Sequence, residues 1–227
     1  MVETEDLARE VYNRLKNIDI LQGMRFTSLE AGKKGDLFEI LIATILSQNT
    51  NDKNSIEAYK SLERRVGIEP YKIVETDLNL IIDAIKPAGL YNSKARTIIN
   101  VARYIIQHLD GDLSNLKKLG FEEARKILLD IDGIGYKTAD ILLLHLNFPA
   151  FPVDTHIKRV SKRLGLVDAD ADYEDISMLW RKSLKHDEYL DAHIRLIAFG
   201  RKYCKARKPL CNICPLRDIC KYVEENG

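Results

Sequence analysis

Nothing in this chain of 227 residues resembles a membrane span or a strand-rich sheet. No apolar run approaches the roughly 20 residues that cross a bilayer, and the opening Met1 to Asp6 is acidic where a secretory leader would be basic. A reducing, cytoplasmic setting without a targeting signal is therefore expected. Period-two alternation of apolar and polar residues is almost missing, which argues against strands. There is no low-complexity tract and no long internal repeat, which excludes linkers and solenoids. An excess of charge of one sign is missing too: 35 Lys and Arg against 34 Asp and Glu leave +1. Bulk charge therefore does not announce nucleic acid.

Cysteine is absent until position 204 and then occurs four times in seventeen residues, at Cys204, Cys211, Cys214 and Cys220, with six, two and five residues between them. Disulfide frameworks staple distant segments of small secreted domains, so this clustering suits one ion or cluster gripped by one loop. Four-cysteine zinc sites usually pair two CxxC knuckles, and only Cys211 and Cys214 make one. The wider gaps suit a bulkier object such as a cubane iron-sulfur cluster, with zinc still open on spacing alone. A cubane with a 2+ core on four thiolates would carry the net charge to about −1.

What is present reads as helices punctuated by glycine and proline, hence an all-α fold. Residues 36–47 are apolar nearly all round, as a helix inside a domain should be, with Asp36 as cap. Residues 93–108 put Ile98, Ala102 and Ile105 on one stripe, opened by Ser93. Further helices are expected over 4–16, 52–66, 76–86, 121–130, 137–147, 155–164, 173–185 and 187–202. Pro149 and Pro152 break the chain after Asn147 and place a domain seam there. Basic residues gather locally: Lys158, Arg159, Lys162 and Arg163 recur at helical spacing, and Arg195, Arg201, Lys202, Lys205, Arg207 and Lys208 crowd toward the cysteines. A solvated charged face reads the same way.

Between two expected helices lies Ile131-Asp132-Gly133-Ile134-Gly135-Tyr136. Gly133 and Gly135 can adopt backbone angles denied to other residues, Ile134 pins the turn inward, and the peptide N–H groups near a helix N-terminus make a phosphate cradle. Lys137 follows in the first turn, where the positive end of the helix dipole disfavours a cation and favours the neutral, nucleophilic amine. Asp154 sits where the chain turns into the basic helix; capping is its ordinary role, and a carboxylate at a seam can also steady a cation or handle a proton. His156, among Ile157 and Val160, reads as structural, and His108, His145, His186 and His193 show no ligand spacing.

Taken together, Ile131-Asp-Gly-Ile-Gly-Tyr-Lys137-Thr-Ala, Val153-Asp154-Thr-His-Ile157, Gly89-Leu-Tyr-Asn-Ser-Lys-Ala95 and the cysteine loop resemble, in order, the endonuclease III family of helix-hairpin-helix DNA glycosylases. The resemblance runs from about residue 36 to 220, and the cysteine spacing matches that family's [4Fe-4S] loop. It implies two helical domains: a six-helix barrel over 30–148, and a discontinuous cluster-containing domain of residues 1–29 and 149–227. It also implies a DNA-binding cleft between them. It implies that Lys137 attacks C1′ of a flipped nucleotide, releasing the base and leading to β-elimination, and that Asp154 stabilises the charge at the sugar. Gln48 or Asn49 and Leu90 would fill the hole left in the duplex. Lys205, Arg207 and Lys208 would meet backbone phosphate beside a cluster held by the four cysteines. The implied partner is double-stranded DNA containing damaged bases or abasic sites, with no membrane and no second copy, so that the protein acts as a monomer.

The chain departs from the family pattern at Asp132, where proline usually stands, at Tyr136, where arginine is frequent, and in the order Ser47-Gln48-Asn49. Oxidised pyrimidines are the implied lesions. A monofunctional uracil or thymine mismatch glycosylase and a non-catalytic DNA-binding iron-sulfur protein are the alternatives, and Lys137 argues for the bifunctional enzyme.

Overall fold

The computed structural model describes residues 2–27, 31 and 35–226, and among them every regular element is helical. The chain divides into two compact units, one of Met1–Met24 with Pro149–Gly227 and one of Arg25–Phe148. Asn147, at φ 67°, takes a left-handed turn near the end of the second unit, two residues before Pro149. No helix of the described residues is long and apolar enough to cross a membrane.

The unit of residues 25–148 is built around α2 (Leu37–Ser47), in which Phe38 and every residue from Ile40 to Leu46 are buried. Asp36 starts it by accepting the Glu39 N–H at 2.9 Å. Thr44, the one polar side chain in the buried stretch, returns its hydroxyl to the Ile40 carbonyl at 2.8 Å, so no hydroxyl is stranded in the core. Each Ile or Leu buried here contributes about 1.5–3 kcal/mol relative to exposure. Around α2 pack α3 (Asp52–Arg65), α6 (Tyr91–Leu109) and α8 (Tyr136–His145), while α4 (Pro70–Glu75) lies on α6 and α5 (Leu78–Ile85) on both α3 and α6. The six-residue α4 was not legible in the sequence, being too short to display a period, and Pro70 at its first position is the only signal.

The expected start of α6 at Ser93 is corrected by two residues. The helix begins at Tyr91, and Leu90 occupies the cap position with left-handed backbone, φ 48° and ψ 30°. Ser93 lies inside the first turn. The apolar stripe is as the spacing indicates, with Ala95, Ile98, Ile99, Val101, Ala102, Ile105 and Leu109 buried.

In the other unit, α1 (Val2–Lys16) packs on α10 (Tyr173–Ser183) and α11 (Tyr189–Lys202), and α9 (Thr155–Leu164) packs on α11 and on the terminal α12 (Lys221–Asn226). The core centres on Phe151, stacked 5.8 Å from Trp180 and meeting Tyr189 edge-on at 5.7 Å. Trp180 donates its indole N–H to Ser161 at 3.0 Å, so the buried ring leaves no polar atom unsatisfied there. Polar contacts join the first helix to the end of the chain. Arg9 meets Glu188 at 2.6 Å, Tyr12 donates to Asp191 at 3.0 Å, and Arg14 forks onto both carboxylate oxygens of Asp218 at 2.7 and 2.8 Å. Burial and the Asp191 hydrogen bond push the Tyr12 hydroxyl up to about 12.

Candidate active site and cluster loop

The hairpin joins α7 (Phe121–Leu129) to α8. Ile131 and Ile134 are buried and close the turn through the Ile134 N–H, which donates to the Ile131 carbonyl at 3.0 Å. Gly133 has φ +90°, and a Cβ there would stand 2.6 Å from Thr97 Cγ2, so its glycine is doubly required. Gly135 differs from expectation. Its φ of −99° is open to any residue, and a Cβ would meet nothing within 4 Å. What its missing side chain leaves is space beside the first turn of α8, which has no side-chain cap. Gly133→Ala should therefore destabilise the protein by roughly 2–3 kcal/mol, combining a left-handed penalty with overpacking. Gly135→Ala should cost under about 0.5 kcal/mol of folding energy, because it creates neither strain nor contact. Urea unfolding of the two variants checks the contrast.

The hairpin is braced by a pair that sequence reading missed. Arg125 of α7 donates from Nε and Nη2 to the two oxygens of Asp140 on α8, both at 2.8 Å, and both side chains are buried. The guanidinium also lies 5.0 Å from the ring centroid of Tyr136 and 5.6 Å from that of Phe121. A signal existed: Asp140 interrupts the apolar Ala139, Ile141 and Leu142, and a carboxylate on a buried face needs a partner.

Lys137 is half-buried at the second position of α8. The next residue, Thr138, accepts a hydrogen bond from Gln48 Nε2 at 3.3 Å, which brings the end of α2 to the first turn of α8. Asn49 follows with φ 52°. Leu90 is 61% exposed in spite of being apolar, so it is not packed within its loop. Lys94, in the same Gly89 to Ala95 segment, is a further residue that the sequence alone did not single out. Its ammonium is buried and donates to the Leu46 carbonyl at 2.8 Å and the Ala88 carbonyl at 2.9 Å. Burial alone pushes it down to about 8. Gln48, Asn49, Leu90, Gly133, Gly135 and Lys137 thus all belong to one unit.

Asp154 belongs to the other. It caps α9, accepting the Ile157 N–H on Oδ1 at 2.8 Å. His156 packs so closely on Gly200 that a Cβ there would come within 2.8 Å of its own, and its Nδ1 lies 2.9 Å from Arg159 Nη2. Burial lowers its pKa, in keeping with a structural histidine.

The four cysteines line one cavity with Phe199, Leu210, Tyr222 and Val223. Among the described residues no group of three or more His, Cys, Asp or Glu is placed to hold a single metal ion. Four cysteines lining one cavity fit the all-cysteine ligation of an iron-sulfur cluster. Burial, and then the neighbouring thiols, push Cys214 up to about 11, and burial raises Cys220 as well. Four thiolates in this apolar cavity thus need a cationic core to offset their charge.

The basic residues of α9 divide by helix face, so a solvated charged face does not describe all four. Arg159 turns inward, with Nε on the Cys204 carbonyl at 2.9 Å and Nη2 on the Gly200 carbonyl at 3.2 Å. Arg163 donates to the Lys205 and Ala206 carbonyls at 2.7 and 3.1 Å and to Cys204 Sγ at 3.5 Å, with its guanidinium 4.8 Å from the Tyr222 ring centroid. These two arginines hold the cysteine loop. Lys205, Arg207 and Lys208 on that loop are exposed.

The family profile described as HhH-GPD superfamily base excision DNA repair protein matches residues 42–186, and the iron-sulfur binding domain of endonuclease III matches residues 204–220. Over 224 residues the chain is 42% identical to Endonuclease III of Sulfolobus acidocaldarius, covering 97% of this chain and 98% of that one. It is 33% identical to Endonuclease III of Thermotoga maritima, covering 98% and 94%. A solved endonuclease III–DNA covalent intermediate is similar at TM-score 0.73 and 30% identity, over 90% of this chain and 97% of that one. A thermostable thymine-DNA glycosylase, at TM-score 0.81 and 23% identity over 98% of both, shares the fold. The chain belongs to the endonuclease III family of the HhH-GPD superfamily of base excision DNA repair proteins, and is a DNA glycosylase and AP lyase with a [4Fe-4S] cluster.

Proposed function

We propose that this enzyme excises oxidised pyrimidines from duplex DNA, with Lys137 as nucleophile and Asp154 as the charged assistant. The observation that carries the reading is an amine in the first turn of α8, beside a hairpin whose Gly135 leaves open space at an uncapped helix start. Phosphate suits such a terminus. Lys137 Nζ bonds to C1′ as the glycosidic C1′–N bond breaks, and the base leaves with a proton. Opening of the C1′–O4′ bond then gives a Schiff base. Loss of a C2′ proton expels the 3′ phosphate as the C3′–O bond breaks, and water hydrolyses the imine to return the amine.

Asp154 steadies positive charge at the sugar and helps move the proton. Its Oδ1 bond to the Ile157 N–H supports the assignment, since it fixes the carboxylate. Asp154→Asn keeps a capping oxygen, so folding stability should stay within about 0.5 kcal/mol while base release slows by roughly 10²-fold or more. Asp154→Ala should add a folding loss of about 1 kcal/mol. Thermal unfolding beside single-turnover assays separates cap from charge.

Gln48, Asn49 and Leu90 fill the gap left by the flipped nucleotide, and the exposure of Leu90 supports this. Cys204, Cys211, Cys214 and Cys220 hold the cluster, which supplies no step of the reaction but orders the loop that presents Lys205, Arg207 and Lys208 to phosphate. The protein acts as a monomer on damaged or abasic duplexes. A panel of lesion duplexes with borohydride trapping tests the reading. A covalent complex and strand cleavage on a thymine glycol duplex are expected. Base release without cleavage before alkali would assign a monofunctional mismatch enzyme, and no release from any duplex would leave a binding module.

A further inference from the structure

The two loops read as gap fillers share one anchor. Lys94 is only 4% exposed, and its ammonium bridges the Leu46 carbonyl at the end of α2 to the Ala88 carbonyl ahead of Gly89 and Leu90. Its backbone N–H donates to the Leu90 carbonyl at 2.9 Å. One residue therefore holds both sides of the Gly89-Leu90 step as well as the residue two before Gln48. The Leu46 carbonyl lies in the last turn of α2, where the helix dipole welcomes a cation. Burial still opposes the charge, and the two groups that the ammonium binds are uncharged carbonyls. A core does not need an ammonium there for stability, since an apolar side chain of similar length would avoid the desolvation.

What the ammonium does secure is geometry. Asn49 at φ 52° and Leu90 at φ 48° are non-glycine residues in the left-handed region, and Gly89, just before Leu90, has φ 64°. Strained backbone of this kind persists where the surroundings over-determine it. The strain holds an apolar side chain out in water at Leu90 and turns Asn49 immediately after Gln48, whose own side chain is tied to Thr138.

We propose that Lys94 is a positioning residue for duplex intercalation. Its ammonium bolts the Leu46 and Ala88 carbonyls to one point and so fixes the spacing at which Gln48, Asn49 and Leu90 enter the DNA together. The proposal rests on the reading of those three side chains as gap fillers, and Lys94 itself touches neither substrate nor reacting atoms.

A double-mutant cycle on the holoenzyme tests it, with Lys94→Met, Leu90→Ala and the pair together. The readouts are base release from a thymine glycol duplex and borohydride trapping on a single-stranded abasic oligonucleotide, which has no stack to fill. Lys94→Met should lower duplex kcat/KM at least tenfold more than it lowers single-strand trapping. Leu90→Ala should cost tenfold or more in the parent protein and under threefold in the Lys94→Met background. Fluorescence of 2-aminopurine opposite the lesion should show less unstacking for Lys94→Met than for the parent. Equal losses on both substrates, an unaffected duplex rate or a multiplicative cycle would overturn the proposal. If Lys94→Met does not fold, Lys94→Gln, which keeps an amide donor, enters the same cycle with the same criteria. Failure of the underlying reading is separately visible: Leu90→Ala would then be harmless with Lys94 intact.

Discussion

Replacing Lys137 with glutamine is expected to remove the borohydride-trapped complex entirely and to slow strand cleavage by at least about 10³-fold. Glutamine preserves approximate length and polarity but has no amine to add to C1′, so neither the Schiff base nor the β-elimination that depends on it can form. The loss should be chemical. Lys137 is half-buried in a first turn, outside the buried face formed by Thr138, Ala139 and Asp140. Stability should therefore stay within about 1 kcal/mol, as for most substitutions away from a core. Gel-shift affinity for an uncleaved duplex should change little, whereas trapping and nicking vanish. Intact trapping by Lys137→Gln would move the nucleophile to another amine and leave Lys137 as an ordinary first-turn residue.

The parts of this site that are local in sequence were legible there, and those made by tertiary approach were not. Asp36 and Asp154 cap the helices that their positions suggested, because a cap concerns only the next three residues. The 36–47 segment, apolar nearly all round, read as a buried helix because its composition is local too. Gly133 and Gly135 looked equivalent in sequence, yet only Gly133 takes φ +90° and lies against Thr97, a contact with a residue 36 positions earlier. Lys94 is the one charged residue of Gly89 to Ala95, and its burial depends on where α2 ends. Arg159 and Arg163 share the helical spacing of Lys158 and Lys162, but packing of α9 near the cysteine loop, which spacing does not encode, turned them inward. Leu90 shows the limit most directly: its left-handed backbone shifted the start of α6 from the position that Ser93 suggested.

The second large effect should come from the brace inside the hairpin. Asp140→Ala would leave the Arg125 guanidinium buried and without its bidentate carboxylate, and removal of one member of such a pair costs about 3–5 kcal/mol. That is a substantial part of the 5–15 kcal/mol by which a domain is stable, so the urea midpoint should fall steeply. The energy reports an uncompensated charge more than the worth of the pair. Arg125→Met with Asp140→Leu together should therefore recover most of the loss, and the double variant should unfold near or above the parent midpoint. The pair is then separable from stability. Arg125 also lies 5.0 Å from the ring centroid of Tyr136, immediately before Lys137, and the double variant deletes that contact. A double variant that folds like the parent but traps abasic DNA several-fold more slowly would mean that the ion pair sets the direction of the first turn of α8. Full activity at full stability would mean that it only replaces apolar packing.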